Sequence, residues 1–131
     1  MKPNQLGVKI IRIVLGVILL VFSLNGFFQF LPMPPLHDPA SEFFGALYQS
    51  GYMIPLLYGA ELIIALLLLF NRFVPLALLL FLPLAVNILF FHLFLAPAGG
   101  AAGYLTVILE AILLIAYKED YRDLLRPKAN K

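Results

Sequence analysis

The chain has 131 residues, of which 63% are hydrophobic and only 12% are charged, with a formal net charge of +2. A soluble domain is about half apolar and about a quarter charged, so this composition excludes a soluble fold and makes lipid the main solvent. The absence of cysteine excludes disulfides, thiolate metal sites and iron–sulfur clusters.

Four apolar stretches are long enough for transmembrane helices, each of which needs about 20 residues. They run from about 6 to 31, 52 to 70, 73 to 95 and 101 to 117. Their side chains do not alternate with period two, and four strands cannot close a barrel in lipid. We therefore predict a single all-α domain over residues 1–131, an integral membrane four-helix bundle.

Proline, glycine and polar residues separate these stretches. The first ends at a proline-rich segment, Asn71-Arg72 lies between the second and third, and Gly99-Gly100 precedes the fourth. Pro83 lies inside the third, where it removes a helical hydrogen bond and is expected to bend the helix. A signal peptide is the alternative for the first stretch, but no small-x-small cleavage site follows it.

The distribution of basic residues predicts the orientation. Both predicted outer loops lack Lys and Arg, so four spans with both termini in the cytoplasm place every basic side chain inside. This pattern predicts a multi-pass membrane protein with both termini in the cytoplasm. The nine basic residues are Lys2, Lys9, Arg12, Arg72, Lys118, Arg122, Arg126, Lys128 and Lys131.

Two further helical segments are predicted outside the spans. Residues 41–48 read as a short helix on the membrane surface or over the mouth of the bundle, with Ser41 or Asp38 as its cap. Residues 118–131 read as a charged cytoplasmic tail, helical until it ends near Pro127, that contacts water and lipid head groups.

Seven of the polar side chains within the predicted spans are the candidate ligand or proton sites. At about 1.5 Å per residue, they lie in the outer half of the bilayer and suggest one polar cavity that opens outward. Purely structural hydrogen bonding between helices remains the alternative for each of them. The seven are Glu61, Glu110, Asn87, His92, Asn25, Tyr58 and Thr106.

Helical spacing separates these candidates. Thr106 and Glu110 are four residues apart and share a face, as do Tyr58 and Glu61, which are three apart. Asn87 and His92 are five apart, about 140° around a helix, so His92 faces inward only if the Pro83 bend helps.

Several kinds of site are not indicated. The Glu-x-x-His pairs of di-iron bundles are missing, and a bis-histidine haem would need His92 together with His37, which lies in a loop. No metal site is therefore predicted. The sequence has no phosphate-binding glycine loop, no catalytic serine motif and no nucleic-acid-binding basic face, so no catalytic residue is assigned.

The motifs in chain order are Arg12-x-x-x-Gly16 with Asn25-Gly26-Phe27-Phe28, then Gly59-Ala60-Glu61 leading to Asn71-Arg72-Phe73, then Asn87 and His92. In this order and topology, over about residues 12–117, the chain resembles the DoxX-like family of small bacterial membrane proteins. The resemblance implies a four-helix membrane fold. It also implies quinone as a cofactor and redox subunits or further copies of the chain as partners.

Three functions compete at this point. The first is a redox-associated subunit, not an enzyme as an isolated chain, that binds a quinone or another small apolar molecule in the outward-facing pocket. The second is a non-enzymatic assembly or stress protein whose polar groups only hold the helices together. The third is a small proton-coupled transporter, which needs a dimer because one chain has no obvious inverted repeat.

Overall fold

The computed structural model describes residues 3–31, 36, 38–97 and 100–129, and within these ranges every regular element is helical. Five of the elements are α-helices, and two short segments continue α4 and α5. The α-helices are α1 (Pro3–Phe28), α2 (Ala40–Gln49), α3 (Met53–Leu69), α4 (Val74–Phe90) and α5 (Ala101–Ala116); Phe91–Leu95 is a π-helical turn and Lys118–Leu125 is a 3-10 helix. The all-helical prediction is confirmed for the described residues.

Two of the helical segments are long and apolar enough to cross a membrane alone, namely Gln5–Phe28 and Val74–Leu95. Helix α3 counts as a span only together with α2, and α5 only together with the 3-10 segment, with bends of 95° and 74°. The 17 residues of α3 rise about 26 Å, slightly less than a hydrocarbon core of about 30 Å. The chain therefore has two to four candidate spans.

The outward-facing surfaces of these helices are apolar. Ile63 on α3 is 60% exposed and Ile115 on α5 is 67% exposed, and large exposed apolar side chains also line α1 and α4. Soluble monomers rarely expose contiguous apolar surface of this kind. These helices have the surface of an integral membrane protein, with lipid as the natural neighbour.

Helices α1 and α3 pack closely along their length in opposite directions. Gly16 lies against Leu69, and Gly26 lies directly against the ring of Tyr58. Small residues let helix backbones approach in membrane proteins, where packing replaces the hydrophobic effect as the driving force. The core shared by the four long helices includes Leu15, Leu19, Leu68, Phe81 and Leu113.

Arg12 is a buried residue of α1, only 6% exposed, and its Nη1 donates a hydrogen bond to the carbonyl oxygen of Leu68. Leu68 belongs to the last turn of α3, where carbonyl groups lack intrahelical partners and the helix dipole is negative. Arg12 therefore caps α3, a role that the charge pattern of the sequence did not indicate.

Helix α2 confirms the short helix predicted at 41–48, but its predicted caps are wrong. The residue before the helix is Pro39, at φ −64°, and no side chain caps the first turn. The fixed φ of proline already suits a helix start, so neither Ser41 nor Asp38 is used.

The 95° bend between α2 and α3 is organised by Ser50. Its hydroxyl donates to the carbonyl of Leu47 (2.7 Å) and accepts from the N–H of Met53 (3.1 Å). Gly51, at φ 82°, provides the left-handed conformation that the turn requires.

The segment after α5 is tied back to the start of α4. The Tyr121 hydroxyl donates to the carbonyl of Pro75 at 2.7 Å, and Glu119 pairs with Arg122 at 2.5 Å. The tail is helical as predicted, although as a 3-10 helix, and the chain becomes extended at Arg126. We call this end of the structure, which also holds Lys9 and Arg12, the basic end.

Candidate ligand-binding cavity

A cavity of about 280 Å³ lies between the four long helices at the end opposite the basic end, beneath α2. Each long helix contributes polar as well as apolar side chains to its walls, whereas α2 contributes only apolar ones. The lining residues are Leu19, Phe22, Asn25, Phe43, Phe44, Leu47, Ile54, Leu57, Tyr58, Glu61, Leu84, Asn87, Ile88, Phe91, His92, Ala102, Gly103 and Thr106.

Six of the seven candidate residues from the sequence lie in this lining. Asn25 comes from α1, Tyr58 and Glu61 from α3, Asn87 and His92 from the end of α4, and Thr106 from α5. Their convergence is the geometry that a polar pocket between helices requires. Whether they bind a ligand or a proton remains a prediction.

Glu110 is the candidate that the structure does not bring to the cavity. It lies nine residues after the start of α5 and six before its end, so it points into the core closer to the basic end. It is only 1% exposed, and within the described part of the chain neither carboxyl oxygen has a hydrogen-bond partner. Its depth on α5 agrees with the prediction, but among the described residues the cavity lining on α5 ends one turn earlier, at Thr106.

Two of the polar groups in the cavity make hydrogen bonds within their own segment. The Thr106 hydroxyl donates to the carbonyl of Ala102 at 2.8 Å. The Asn25 Oδ1 accepts from the N–H of Leu31 at 2.7 Å, just beyond Gln29, whose φ of 52° ends α1 in a left-handed turn. Asn25 therefore holds the chain as it leaves α1 and does not bridge two helices.

Glu61 and Asn87 differ from these two residues. No hydrogen bond joins either side chain to another described residue. Glu61 faces Tyr58 one turn earlier on α3, close enough for the two groups to interact electrostatically. The side chains of Glu61 and Asn87 are thus available to form hydrogen bonds with a ligand.

His92 reaches the cavity from a π-helical turn. Helix α4 continues through Pro83 as far as Phe90, and the wider turn begins at Phe91, closed by the N–H of Ala96 donating to the Phe91 carbonyl at 3.1 Å. Such turns often mark functional sites. His92 lies within this turn, and it lines the same cavity as Asn87, which is exposed.

The imidazole of His92 is held on several sides. Gly103 lies directly against it, and Tyr104 meets it edge-on with ring centroids 5.7 Å apart. Its Nδ1 is buried and has no hydrogen-bond partner in the described residues.

An aromatic cluster from α2 closes the cavity. Phe43 and Phe44 contact the ring of Phe91, with centroids 5.7 Å and 5.2 Å apart. The sequence prediction left α2 either on the membrane surface or over the bundle mouth, and the structure places it over the mouth. Phe22 and Leu47 also line the cavity, but nothing in their sequence context distinguishes them from lipid-facing residues.

The charge of the cavity restricts what it can hold. Among the residues that the structure describes, its lining contains one carboxyl group, Glu61, one imidazole, His92, and neither Lys nor Arg. An anionic ligand would therefore lack a permanent counter-charge in a region of low dielectric. The site suits a neutral molecule with a few hydrogen-bonding groups.

Among the described residues no group of three or more His, Asp or Glu side chains is placed to hold a metal ion; His37 lies outside the described residues.

The fold and cavity define a helical protein with two to four candidate membrane spans and an enclosed site between them. Comparison with protein-family models, curated proteins and solved structures found no match to this chain. The function therefore has to be argued from the site.

Proposed function

We propose that this chain is a four-helix integral membrane protein that binds a quinone, or another small apolar molecule with a polar head, in the cavity beneath α2. The observation that carries this proposal is the convergence of polar groups from four helices on one largely apolar cavity. Ligand sites commonly combine apolar walls with a few placed polar groups.

The size of the cavity favours a single ring. Its volume of about 280 Å³ lies just below the range of about 300–1,000 Å³ typical of drug-sized ligands. A quinone head group fits this description, because its isoprenoid tail can leave between helices into the lipid. The rings of Phe43, Phe44 and Phe91 offer the aromatic contacts that a planar head group favours.

The available hydrogen-bonding groups also suit a quinone. Quinone carbonyl oxygens accept hydrogen bonds, and the Asn87 amide, the Tyr58 hydroxyl and the His92 imidazole can donate them. A quinol donates instead, and the carboxyl group of Glu61 can accept. The same chemistry would suit a redox-associated subunit of the DoxX-like kind, working with redox partner subunits or further copies of the chain.

The lack of direct bonds between helices supports ligand binding over a purely structural role. If these polar groups served only to hold the helices together, Glu61 and Asn87 should bond to each other or to a neighbouring helix. Neither does so among the described residues, whereas apolar packing and the Arg12 cap already join the helices.

The proposed orientation places the basic end in the cytoplasm of a bacterium and the cavity in the outer half of the plasma membrane. The beginning of α1, the end of α3, the start of α4 and the segment after α5 meet at the basic end through the Arg12–Leu68 and Tyr121–Pro75 hydrogen bonds. This arrangement gathers the described Lys and Arg residues on one side, as the positive-inside rule requires.

The test is equilibrium binding of a short-tailed benzoquinone to the protein in lipid nanodiscs. Leu84 lines the cavity and Leu82 on the same helix is 37% exposed, so Leu84→Phe and Leu82→Phe form a matched pair. The larger Phe side chain at position 84 would crowd a ligand in the cavity, and overpacking costs about 1–3 kcal/mol. Leu84→Phe should therefore weaken quinone binding about tenfold, while Leu82→Phe leaves quinone binding unchanged.

A molecule with the same tail and no quinone head is the second control, and it should partition equally into nanodiscs with either variant. Equal quinone affinity for wild type, Leu84→Phe and Leu82→Phe would show that the quinone sits in the lipid, which contradicts the proposal.

A further inference from the structure

A second cleft, of about 590 Å³, opens at the basic end of the structure, far from the cavity beneath α2. It lies between the first turns of α1, the turn after α3 and the end of α5. Its polar lining residues are Gln5, Lys9, Arg12, Asn71 and Tyr117, and no acidic residue of the described part of the chain lines it.

Arg12 is the central group of this cleft. It is 94% buried, and one of its nitrogens caps α3 through the Leu68 carbonyl. A guanidinium group has five N–H donors in a planar fork that matches phosphate. Within the described residues the remaining donors have no partner, so Arg12 can cap the helix and bind an anion together.

Lys9 adds a second positive charge on the same wall. It lies three residues before Arg12 on α1, on the same helical face, and its side chain is exposed. Asn71, at φ 56°, turns the chain after α3 so that its amide borders the cleft.

The electrostatic balance favours an anion despite the helix ends nearby. Helices α3 and α5 end at this cleft, and each C-terminus carries about half a negative charge. The two helix ends together carry about one negative charge, and the two full positive charges of Lys9 and Arg12 exceed it. In the tail, Glu119 is paired with Arg122 and Asp123 with Arg126.

We propose that this cleft binds a phosphate group through Arg12 and Lys9. Basic pockets between membrane helices bind anionic lipid head groups, and the apolar side chains of Val8 and Ala116 in the lining give the acyl part of a lipid a place to lie. The ligand is therefore the phosphate of an anionic phospholipid of the adjacent leaflet, with free phosphate as the other source of the same chemistry. This proposal does not depend on the quinone cavity.

The experiment uses the full chain in a non-ionic detergent and compares native mass spectra with phosphatidylglycerol, phosphatidylcholine or inorganic phosphate added. Lys9→Gln removes a cleft charge at an exposed position, and Arg72→Gln removes an exposed charge at the same end outside the cleft. Arg12→Lys keeps the positive charge but loses the planar set of N–H donors of the guanidinium group. We expect phosphatidylglycerol to bind more tightly than phosphatidylcholine, and Lys9→Gln to weaken that binding about fivefold.

Arg12→Lys should weaken phosphatidylglycerol binding at least as much, and Arg72→Gln should not. If inorganic phosphate alone occupies the cleft and competes the lipid off, the phosphate site stands and its source is free phosphate. The proposal is wrong if Lys9→Gln and Arg72→Gln weaken phosphatidylglycerol binding equally. It is also wrong if neither phosphatidylglycerol nor inorganic phosphate binds more tightly than phosphatidylcholine. Should Arg12→Lys fail to fold, the comparison of Lys9→Gln with Arg72→Gln still decides.

Discussion

Gly103 lies so close to the imidazole of His92 that a Cβ atom at this position would overlap the ring. The contact joins α5 to the π-helical turn after α4, and it fixes where the imidazole stands in the wall of the cavity. A glycine with no special backbone angle is therefore a steric requirement of the candidate site.

Gly103→Ala should displace the His92 ring and lower the affinity for a quinone head group about tenfold, since the site loses one placed donor. Equilibrium binding in nanodiscs measures this change. Gly45→Ala is the control, because a Cβ there meets no atom within 4 Å. In a Gly103→Ala, His92→Ala double variant the two losses of quinone affinity should not add, because both substitutions act through the His92 ring. Full additivity would mean that Gly103 does not act through His92.

Gly26 provides the equivalent test for helix packing. A Cβ at Gly26 would collide with the Tyr58 ring, whereas one at Gly59 meets nothing. Gly26→Ala should destabilise the protein by about 1–3 kcal/mol, and Gly59→Ala should be neutral or stabilise it by up to about 1 kcal/mol. Unfolding in mixed detergent measures both, and equal stabilities for the two variants would contradict the close approach of α1 and α3.

Tyr121 should give the tail a pH-dependent attachment. Burial, helped by nearby negative charge, raises the pKa of Tyr121 from its ordinary value of 10.0 to about 12. A raised folded-state pKa stabilises the neutral hydroxyl, so this contribution is complete below pH 10 and is lost as the pH rises through about 12.

The absorbance titration of wild type minus that of Tyr121→Phe isolates this tyrosinate, and its midpoint should lie near 12. A midpoint near 10 would mean that the bond to the Pro75 carbonyl is not maintained. Tyr121→Phe should also cost about 0.5–1.5 kcal/mol of stability at neutral pH.

The orientation can be tested directly because the chain has no cysteine. Glu42 on α2 and Lys128 in the tail are both exposed. With an impermeant thiol reagent on intact cells, Glu42→Cys should be labelled and Lys128→Cys protected until the cells are opened. The reverse pattern would mean that the protein has the opposite orientation, and labelling of both would require an even number of spans between the two sites.

The positions of the helices could be predicted because long apolar runs in lipid have few alternatives to helix, and α1, α3, α4 and α5 begin and end near the predicted limits. Glu61 is partly buried and lines the cavity, as the cost of polar groups in lipid suggests, whereas Asn87 lines the cavity at an exposed position. These predictions depend on composition and spacing alone.

Other features depend on contacts between distant residues, which spacing does not reveal. Arg12 caps a helix 56 positions away, and His92 lies in a π-helical turn, Phe91–Leu95, that ideal helix geometry does not predict. Glu110 lies at about the predicted depth on α5, but the lining of the cavity ends one turn earlier on that helix, at Thr106. The Ser41 and Asp38 caps failed because Pro39 supplied the backbone angle that a cap would otherwise help to fix.

The most direct test of the proposed site is the binding of a quinol to wild type and to Glu61→Gln. A glutamate can accept a proton from a quinol hydroxyl or return one, whereas a glutamine of nearly the same shape can do neither. Because Glu61 bonds to no other described residue, the substitution should leave thermal stability unchanged. We predict that quinol affinity falls about tenfold in Glu61→Gln. Wild-type affinity in Glu61→Gln, together with unfolding of Glu61→Leu, would contradict the account and assign Glu61 a purely structural role.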